Sequence, residues 1–454
     1  MSVVTGVAIE TYGCAMNRSD SDIIRYRLIE AGFNLTSTEK ADVVVINSCG
    51  VIAYTERKIL KRVEKLKSEG KKVVIAGCLP RISSRKVREI ADAAVGTDSL
   101  LKIDVAVKSA IAGLKFFDIK KSNIDKASLE KFRLDKDELG MRIGFAVVPI
   151  AEGCTGRCTF CATRFARGKL KSFSMESIVK DVKRAVNCGF VEIQLTSQDT
   201  GAYGIDRYGY HALPELLERI ARIPGNFKVR VGMMNPRHAY EMLDSLICAF
   251  SNDKIYKFIH VPVQSGDENV LKSMGRDHGV EEYLEVVSSF RKEFDHEDTI
   301  ISTDIITGFP EESEEAFHRS LELIRESKPD LVNVTRYSPR KGTPAYRLGD
   351  MPDWIKKERS RAITRLADRI KEKRNARLVG KSFTALITKF SESKVLARLN
   401  SYRPVIIENS ENFKPKSFGL IGVRITSSTS THLIGLEVPY FGCKGSVPWY
   451  GYCR

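Results

Sequence analysis

The chain opens on a repeating alternation of apolar and amphipathic stretches. Short apolar runs at residues 7–10, 43–46 and 73–76 each precede a helical pattern, at about 20–31, 54–69 and 84–91. Apolar runs of that length suit strands buried on both faces, and their alternation with helices predicts a parallel sheet. Gly13, Asn47 and Gly77 stand where these strands should end, and Cys14, Cys49 and Cys78 lie beside them. The carboxyl ends of the strands form the functional edge of an open α/β sheet. Three cysteines from three loops are therefore expected to converge there.

A polar, charged stretch at 119–139 reads as a linker. A second series follows, with strands at 144–150, 190–195, 228–232, 257–261, 300–305 and 331–335. Helices lie between them near 174–187, 212–222, 236–249, 280–293 and 312–327. Six such units predict a partial (β/α)6 barrel whose working face is its C-terminal rim. Residues 354–377 form a basic helix, with ten Lys/Arg against three Asp/Glu from 356 to 377. Such a run is either a solvated face or an RNA-facing connector. Five short β-type segments between 380 and 438 then predict a small OB-like barrel. The expected division is an α/β N-terminal domain (1–118), the linker (119–139), the barrel with its basic helix (140–377), an OB-like RNA-binding domain (378–440) and a tail (441–454).

Composition narrows the function. The 454 residues are 43% hydrophobic and 29% charged, which excludes a disordered or collagen-like chain. Net charge is 73 − 57 = +16, a surplus that favours a polyanion such as nucleic acid. No run approaches the roughly 18 apolar residues of a membrane span, and the N-terminus lacks the features of a signal peptide. The expectation is a cytoplasmic protein without a membrane partner. Its ten cysteines would then be reduced, and clustered ones suit metal or redox chemistry better than disulfides.

Residues 152–168 read EGCTGRCTFCATRFARG, which sets Cys154, Cys158 and Cys161 on one loop after a predicted strand. Three thiolates hold three corners of a [4Fe–4S] cluster. A structural zinc would need a fourth ligand, and no nearby His or Cys supplies one. One iron is left open to a small molecule. This spacing is identified as that of the radical S-adenosylmethionine enzymes, and Phe160 before the third cysteine fits it. The resemblance implies that the open iron chelates S-adenosylmethionine and that one-electron cleavage yields a 5′-deoxyadenosyl radical.

More of the chain resembles the methylthiotransferases: TYGCAMNRSDS, NSCGV and AGCLP, then IQLTSQDTGAYGID (193–206), HVPVQSGDENVLKSMGR (260–276), DIITGFPEE (304–312) and RYSPRKGTPA (336–345). That resemblance implies a second [4Fe–4S] cluster on Cys14, Cys49 and Cys78, and a TRAM-like C-terminal domain. It sets Thr196, Ser197, Gln198 and Gln264 at the polar parts of S-adenosylmethionine. Tyr337 and Ser338 come near its adenine through their backbone. Loop capping and turn formation are the alternative roles of these six. No catalytic residue beyond the cluster ligands is implied.

The substrate branch rests on the cluster loop. The isopentenyladenosine branch usually has Pro where Arg164 stands. Thr163, Arg164, Ala166-Arg167-Gly168 and Pro80 in AGCLPR resemble the threonylcarbamoyladenosine branch more closely. That substrate bears a carboxylate, which Arg pairs in bidentate fashion. Arg164 or Arg167 is the expected contact, with phosphate binding or support of the loop as alternatives. The implied reaction inserts a methylthio group at C2 of N6-threonylcarbamoyladenosine 37, in the anticodon stem-loop of tRNA, by a monomer. Its sulfur donor and electron donor are not identified. Alternatives are isopentenyladenosine in tRNA, an aspartate of a ribosomal protein, or a non-enzymatic RNA-binding protein with structural clusters. Glu311 departs from the family, where Gly is common. The tail YFGCKGSVPWYGYCR lies outside the shared pattern, and its Cys443 and Cys453 read as ordinary thiols.

Overall fold

The computed structural model describes residues 6–51, 53–122, 124–133, 141–294, 299–392, 394–408, 415 and 417–439. Cys443, Cys453 and the rest of the tail lie outside the described residues.

The N-terminal sheet has six parallel strands in the order Asn34–Leu35, Gly6–Thr11, Val43–Ser48, Lys72–Gly77, Ala93–Gly96 and Phe116–Asp118. Val43–Ser48 is buried at every position because successive side chains feed two cores. Val43 and Val45 pack with Ile23, Ile24 and Leu28, while Val44 and Ile46 pack with Ile59, Val63 and Leu66. The first helix runs Ala15–Glu30 and so begins five residues before the expected start. Asn17, Ser19, Asp20 and Ser21 look like loop residues in sequence, yet they lie buried in its first turns, several bonded to neighbouring elements.

The barrel consists of two three-stranded parallel sheets. One is Phe145–Pro149, Glu192–Thr196 and Lys228–Arg230; the other is Phe258–His260, Ile300–Thr307 and Leu331–Arg336. A parallel bridge between Val229 and Ile255 joins the halves. The third helical segment is two helices, Pro236–Glu241 and Leu243–Phe250, divided at Met242 (φ −120°, ψ 23°).

The stretch that reads as a linker is not a loose tether. Lys126 and Lys131 are buried in ion pairs, with Asp20 and Glu152 and with Asp181 respectively. Phe132 stacks edge-on against Phe190. Charge in sequence suggests solvation, but these charges have buried partners from both flanking domains.

The C-terminal strands are Ser382–Phe390, Val395–Leu399, Pro404–Ile407, Leu420–Ser428 and Leu433–Val438, and pairing of the first two closes a five-stranded barrel. Its 399–403 turn is pressed against the N-terminal ends of the larger barrel's strands. Tyr402 stacks on Tyr256 and Phe258, with centroids 5.0 and 5.1 Å apart. Its hydroxyl lies 3.2 Å from Gln194 Nε2. Arg403 pairs with Asp330, just before the last barrel strand. No helix among the described residues is long and apolar enough to cross a membrane.

Candidate metal and cofactor site

In the N-terminal sheet the strand order reverses between Gly6–Thr11 and Val43–Ser48, and a crevice opens at such a switch point. Cys14 follows the first of these strands, Cys49 the second, and Cys78 the adjoining Lys72–Gly77. The loops touch: a Cβ on Gly13 (φ +145°) would lie 3.0 Å from Cys49 Cβ. Asn17 fastens them. Its Nδ2 donates to Asn47 Oδ1 and to the Ser48 carbonyl, both at 3.2 Å, and Asn47 Nδ2 returns a bond to the Asn17 carbonyl at 2.7 Å. Cys14 Sγ lies 3.5 Å from Asn17 Oδ1. Burial pushes the Cys78 thiol up to about 11, against the pull of the Arg167 charge, and Cys49 and Cys14 push it further.

The second sulfur set sits on the rim of the barrel. Gly153 (φ +78°) turns the chain out of the first strand, where a Cβ would meet the Lys169 carbonyl at 2.0 Å. Its amide donates to Gln198 Oε1 at 2.7 Å. The Gly156 amide donates to Cys154 Sγ (3.2 Å), the Thr163 amide to Cys161 Sγ (3.4 Å) and Arg276 Nη1 to Cys158 Sγ (3.5 Å). Residues 273–275 brace the loop, since Thr159 bonds the Ser273 and Met274 carbonyls. Burial pushes the Cys154 thiol up to about 12, and Asp199 adds to it. Burial also raises the Cys161 thiol.

Both sets fit an iron–sulfur cluster. Each gathers three thiols, and burial makes ionisation of Cys78, Cys154 and Cys161 costly unless a cation is bound beside them. Donors already point at the sulfurs of the second set. A Cβ on Gly156 would fall 3.3 Å from Cys154 Sγ and 3.7 Å from Cys158 Sγ, so this glycine packs directly against two of the sulfurs.

The expected contacts for S-adenosylmethionine lie around this rim. Thr196 and Ser197 are buried at the end of the second strand, and Ser197 Oγ accepts from the Asp199 amide. Gln198 is engaged with Gly153. Gln264 holds φ +78°, an unusual conformation for a side-chain-bearing residue, between the Asp304 carbonyl and the Ile306 amide. Phe160 packs on an apolar group that includes Phe309 and Tyr337. The Tyr337 amide donates to the Thr307 carbonyl at 2.9 Å, and its carbonyl receives Lys356 Nζ at 3.4 Å. Ser338 follows it, half-buried.

The two arginines of the cluster loop have different fates. Arg167 is buried, donating to Glu152 at 2.6 Å and to Asp20 at 2.7 Å, so its fork is occupied within the protein. Arg164 is half-buried, reaches only the Gly156 carbonyl at 3.5 Å, and makes no ion pair among the described residues. The interdomain contact also uses Arg81, which donates to the Ala166 carbonyl, and Arg340, which pairs with Glu56 at 2.7 Å. The functional reading of the sequence missed Asn17, Asn47 and Arg276. All three sit inside the quoted motifs, but nothing local marks which groups each serves.

A partial six-stranded barrel that presents three thiols on its first loop defines a radical S-adenosylmethionine enzyme. Residues 148–324 match the Radical SAM superfamily, and residues 6–97 match Uncharacterized protein family UPF0004. A protein of Archaeoglobus fulgidus named "Probable threonylcarbamoyladenosine tRNA methylthiotransferase" is 54% identical over 94% of this chain and 98% of its own. A protein of the same name from Pyrococcus abyssi is 45% identical over the same shares. The chain belongs to the family of these threonylcarbamoyladenosine tRNA methylthiotransferases. The solved structure of a radical S-adenosylmethionine methyltransferase from Kitasatospora setae has the same fold, with a TM-score of 0.51 at 13% identity over 76% of this chain and 77% of that one. Enzymes of this class use S-adenosylmethionine with a [4Fe–4S] cluster, and the methylthiotransferases carry two clusters.

Proposed function

We propose that this chain inserts a methylthio group at C2 of N6-threonylcarbamoyladenosine 37 in tRNA, acting as a cytoplasmic monomer. One observation carries the reading: two complete three-thiol sets open on either side of a single buried contact, where Arg167 links the barrel's cluster loop to the helix that follows Cys14. Bound there, the two clusters and S-adenosylmethionine supply the sulfur for transfer and one-electron cleavage of the sulfonium.

The chain's own groups do the rest. Cys14, Cys49 and Cys78 hold one cluster, and Cys154, Cys158 and Cys161 hold the other. Thr196, Ser197, Gln198 and Gln264 orient the polar end of the cofactor. Phe160 closes the apolar side, and with the Tyr337 amide already taken, the adenine contact falls to Ser338. Arg164 receives the substrate carboxylate, since Arg167 is committed to Asp20 and Glu152. RNA is held along the helix Asp353–Ala376, where Lys357, Arg361, Arg365, Arg369, Lys373 and Arg377, just past its end, are exposed at four-residue intervals. Side chains four apart form one gently winding ridge, suited to successive phosphates.

The test is anaerobic turnover of the reconstituted protein with S-adenosylmethionine and dithionite on two anticodon stem-loops. One carries threonylcarbamoyladenosine and the other isopentenyladenosine. Mass spectrometry should find the methylthio group on the first alone. Preference for the second, or release of 5′-deoxyadenosine without modification of either, overturns the reading.

A further inference from the structure

Outside the two cysteine sets, two histidines and a carboxylate converge at the rim. His211 lies in the loop after the helix Ile205–Tyr208, and His238 and Glu241 lie three apart on one face of Pro236–Glu241. One ligand atom from each falls within 4.8 Å of the others. His211 Nε2 is 2.9 Å from Glu241 Oε2, and His238 Nδ1 is 3.5 Å from the same oxygen. A tetrahedral ion with bonds of about 2.0–2.1 Å spaces its ligands roughly 3.3 Å apart.

The far side of each ring is occupied in the manner that orients a metal ligand. His211 Nδ1 faces the Gly201 carbonyl at 2.9 Å. A carbonyl only accepts, so Nδ1 carries a proton and Nε2 is the ring atom turned toward the Glu241 carboxylate. A proton on Nε2 or a metal ion between the two atoms accounts for the 2.9 Å separation. His238 Nε2 faces Asp199 Oδ2 at 3.6 Å and Thr155 Oγ1 at 3.4 Å. His238 Nδ1 is buried with no hydrogen-bond partner among the described residues, on a side chain only 7% exposed. Glu241 Oε1 accepts from Arg237 Nε at 2.7 Å, which leaves Oε2 for the cluster. Carboxylate or carbonyl partners on the outer nitrogens are the usual support of zinc-bound histidines.

We propose that His211, His238 and Glu241 bind a divalent cation of the zinc type, with its fourth position open. All three line a cavity of about 730 Å³ that also reaches Thr155 and Arg157 on the cluster loop. Two histidines, one glutamate and an open position form a donor set that zinc uses where it binds an exchangeable oxygen ligand. The site does not depend on the nature of the RNA substrate.

The test uses the full chain with both cysteine sets loaded with iron, so that their six thiols are not free for zinc. After chelating resin, zinc is added and retained metal is counted beside iron. The zinc absorption edge then reads the ligand shell. The expected result is one zinc per chain with nitrogen and oxygen neighbours only, at about 2.0–2.1 Å. His211→Gln and Glu241→Gln alter side chains 20% and 37% exposed, and each should weaken zinc binding at least 10-fold with iron unchanged. No zinc above the level of these variants, or a shell with sulfur at about 2.3 Å, overturns the proposal.

Discussion

Arg167 and Asp20 meet at 2.7 Å across 147 positions of sequence, with both side chains almost wholly buried. Lys126 and Glu152 complete a neutral quartet that ties the N-terminal helix, the connecting segment and the barrel together. Burial alone would raise the Asp20 carboxyl, but the Arg167 and Lys126 charges outweigh it and hold it below its usual range. Asp20→Asn or Arg167→Met leaves an unbalanced buried charge, at a cost of about 3–5 kcal/mol. Denaturant unfolding of the full chain should show that loss at pH 7. An Asp with a lowered folded pKa stabilises fully above its unfolded value near 4, and the contribution fades as pH falls below that. The wild-type advantage over Asp20→Asn should therefore be flat from about pH 7 to 5 and shrink below about 4.

A second titration lies beside the barrel cluster. His278 Nε2 accepts from Arg276 Nε at 2.9 Å, and Arg276 in turn donates to Cys158 Sγ. Burial and then the Arg276 charge push His278 down to about 4. The folded protein keeps it neutral while the unfolded chain protonates near 6.5. Stability is thus complete above about 6.5 and falls as pH drops toward 4, by about 3 kcal/mol in all. His278→Gln retains an acceptor for Arg276 but does not titrate. Its unfolding free energy should lose far less over that interval than the wild type's.

Gly153 is the backbone hinge of the barrel cluster. Gly153→Ala places a methyl group 2.0 Å from the Lys169 carbonyl at a φ that disfavours any side chain. Two four-iron clusters amount to about eight irons per chain. Iron in Gly153→Ala should fall to about four, and 5′-deoxyadenosine formation should vanish. Replacing Cys14, Cys49 and Cys78 by Ala should also halve the iron yet leave cofactor cleavage running.

The C-terminal barrel does more than extend the chain. Tyr402→Ala removes an aromatic ring from the floor formed by Tyr256 and Phe258, at a cost of about 3 kcal/mol or more. Removing everything after Arg377 would bare that floor entirely. Calorimetry should show the truncated chain melting well below the intact one, with impaired cofactor cleavage even in the absence of RNA.

The exposed ridge makes its own prediction. Arg361→Glu, Arg365→Glu and Arg369→Glu together remove three cations without touching a buried pair. The slope of log affinity for tRNA against log salt should fall by roughly 2 or more, as expected for three lost phosphate contacts. Cofactor cleavage should be unchanged.

The placement of the cysteines was legible because cysteines beside strand ends, and a three-residue then two-residue gap, are local patterns. The sheet was legible for the same reason, through unbroken runs such as Val43–Ile46. The first helix was not, because Asn17 and Asp20 resemble capping residues until their partners, Asn47 and Arg167, are known. Lys126 and Lys131 misled in the same way. Nor did any periodicity announce Tyr402, whose neighbours lie some 140 residues earlier. Arg164 and Arg167 are alike in sequence, and only the position of Asp20 and Glu152 tells them apart.

The helix Asp353–Ala376 begins where Asp353 reaches Arg336 at the rim and ends where Arg374 reaches Asp330 at the floor. It runs antiparallel to the last barrel strand, and its 24 residues cover about 36 Å. Rim chemistry and the C-terminal barrel are therefore held a fixed distance apart, and the protein carries a gauge. An RNA hairpin shorter than that distance can present its base at the rim but cannot also reach the far end. Whole tRNA should then bind much more tightly than its isolated stem-loop, while both turn over at similar rates once saturating.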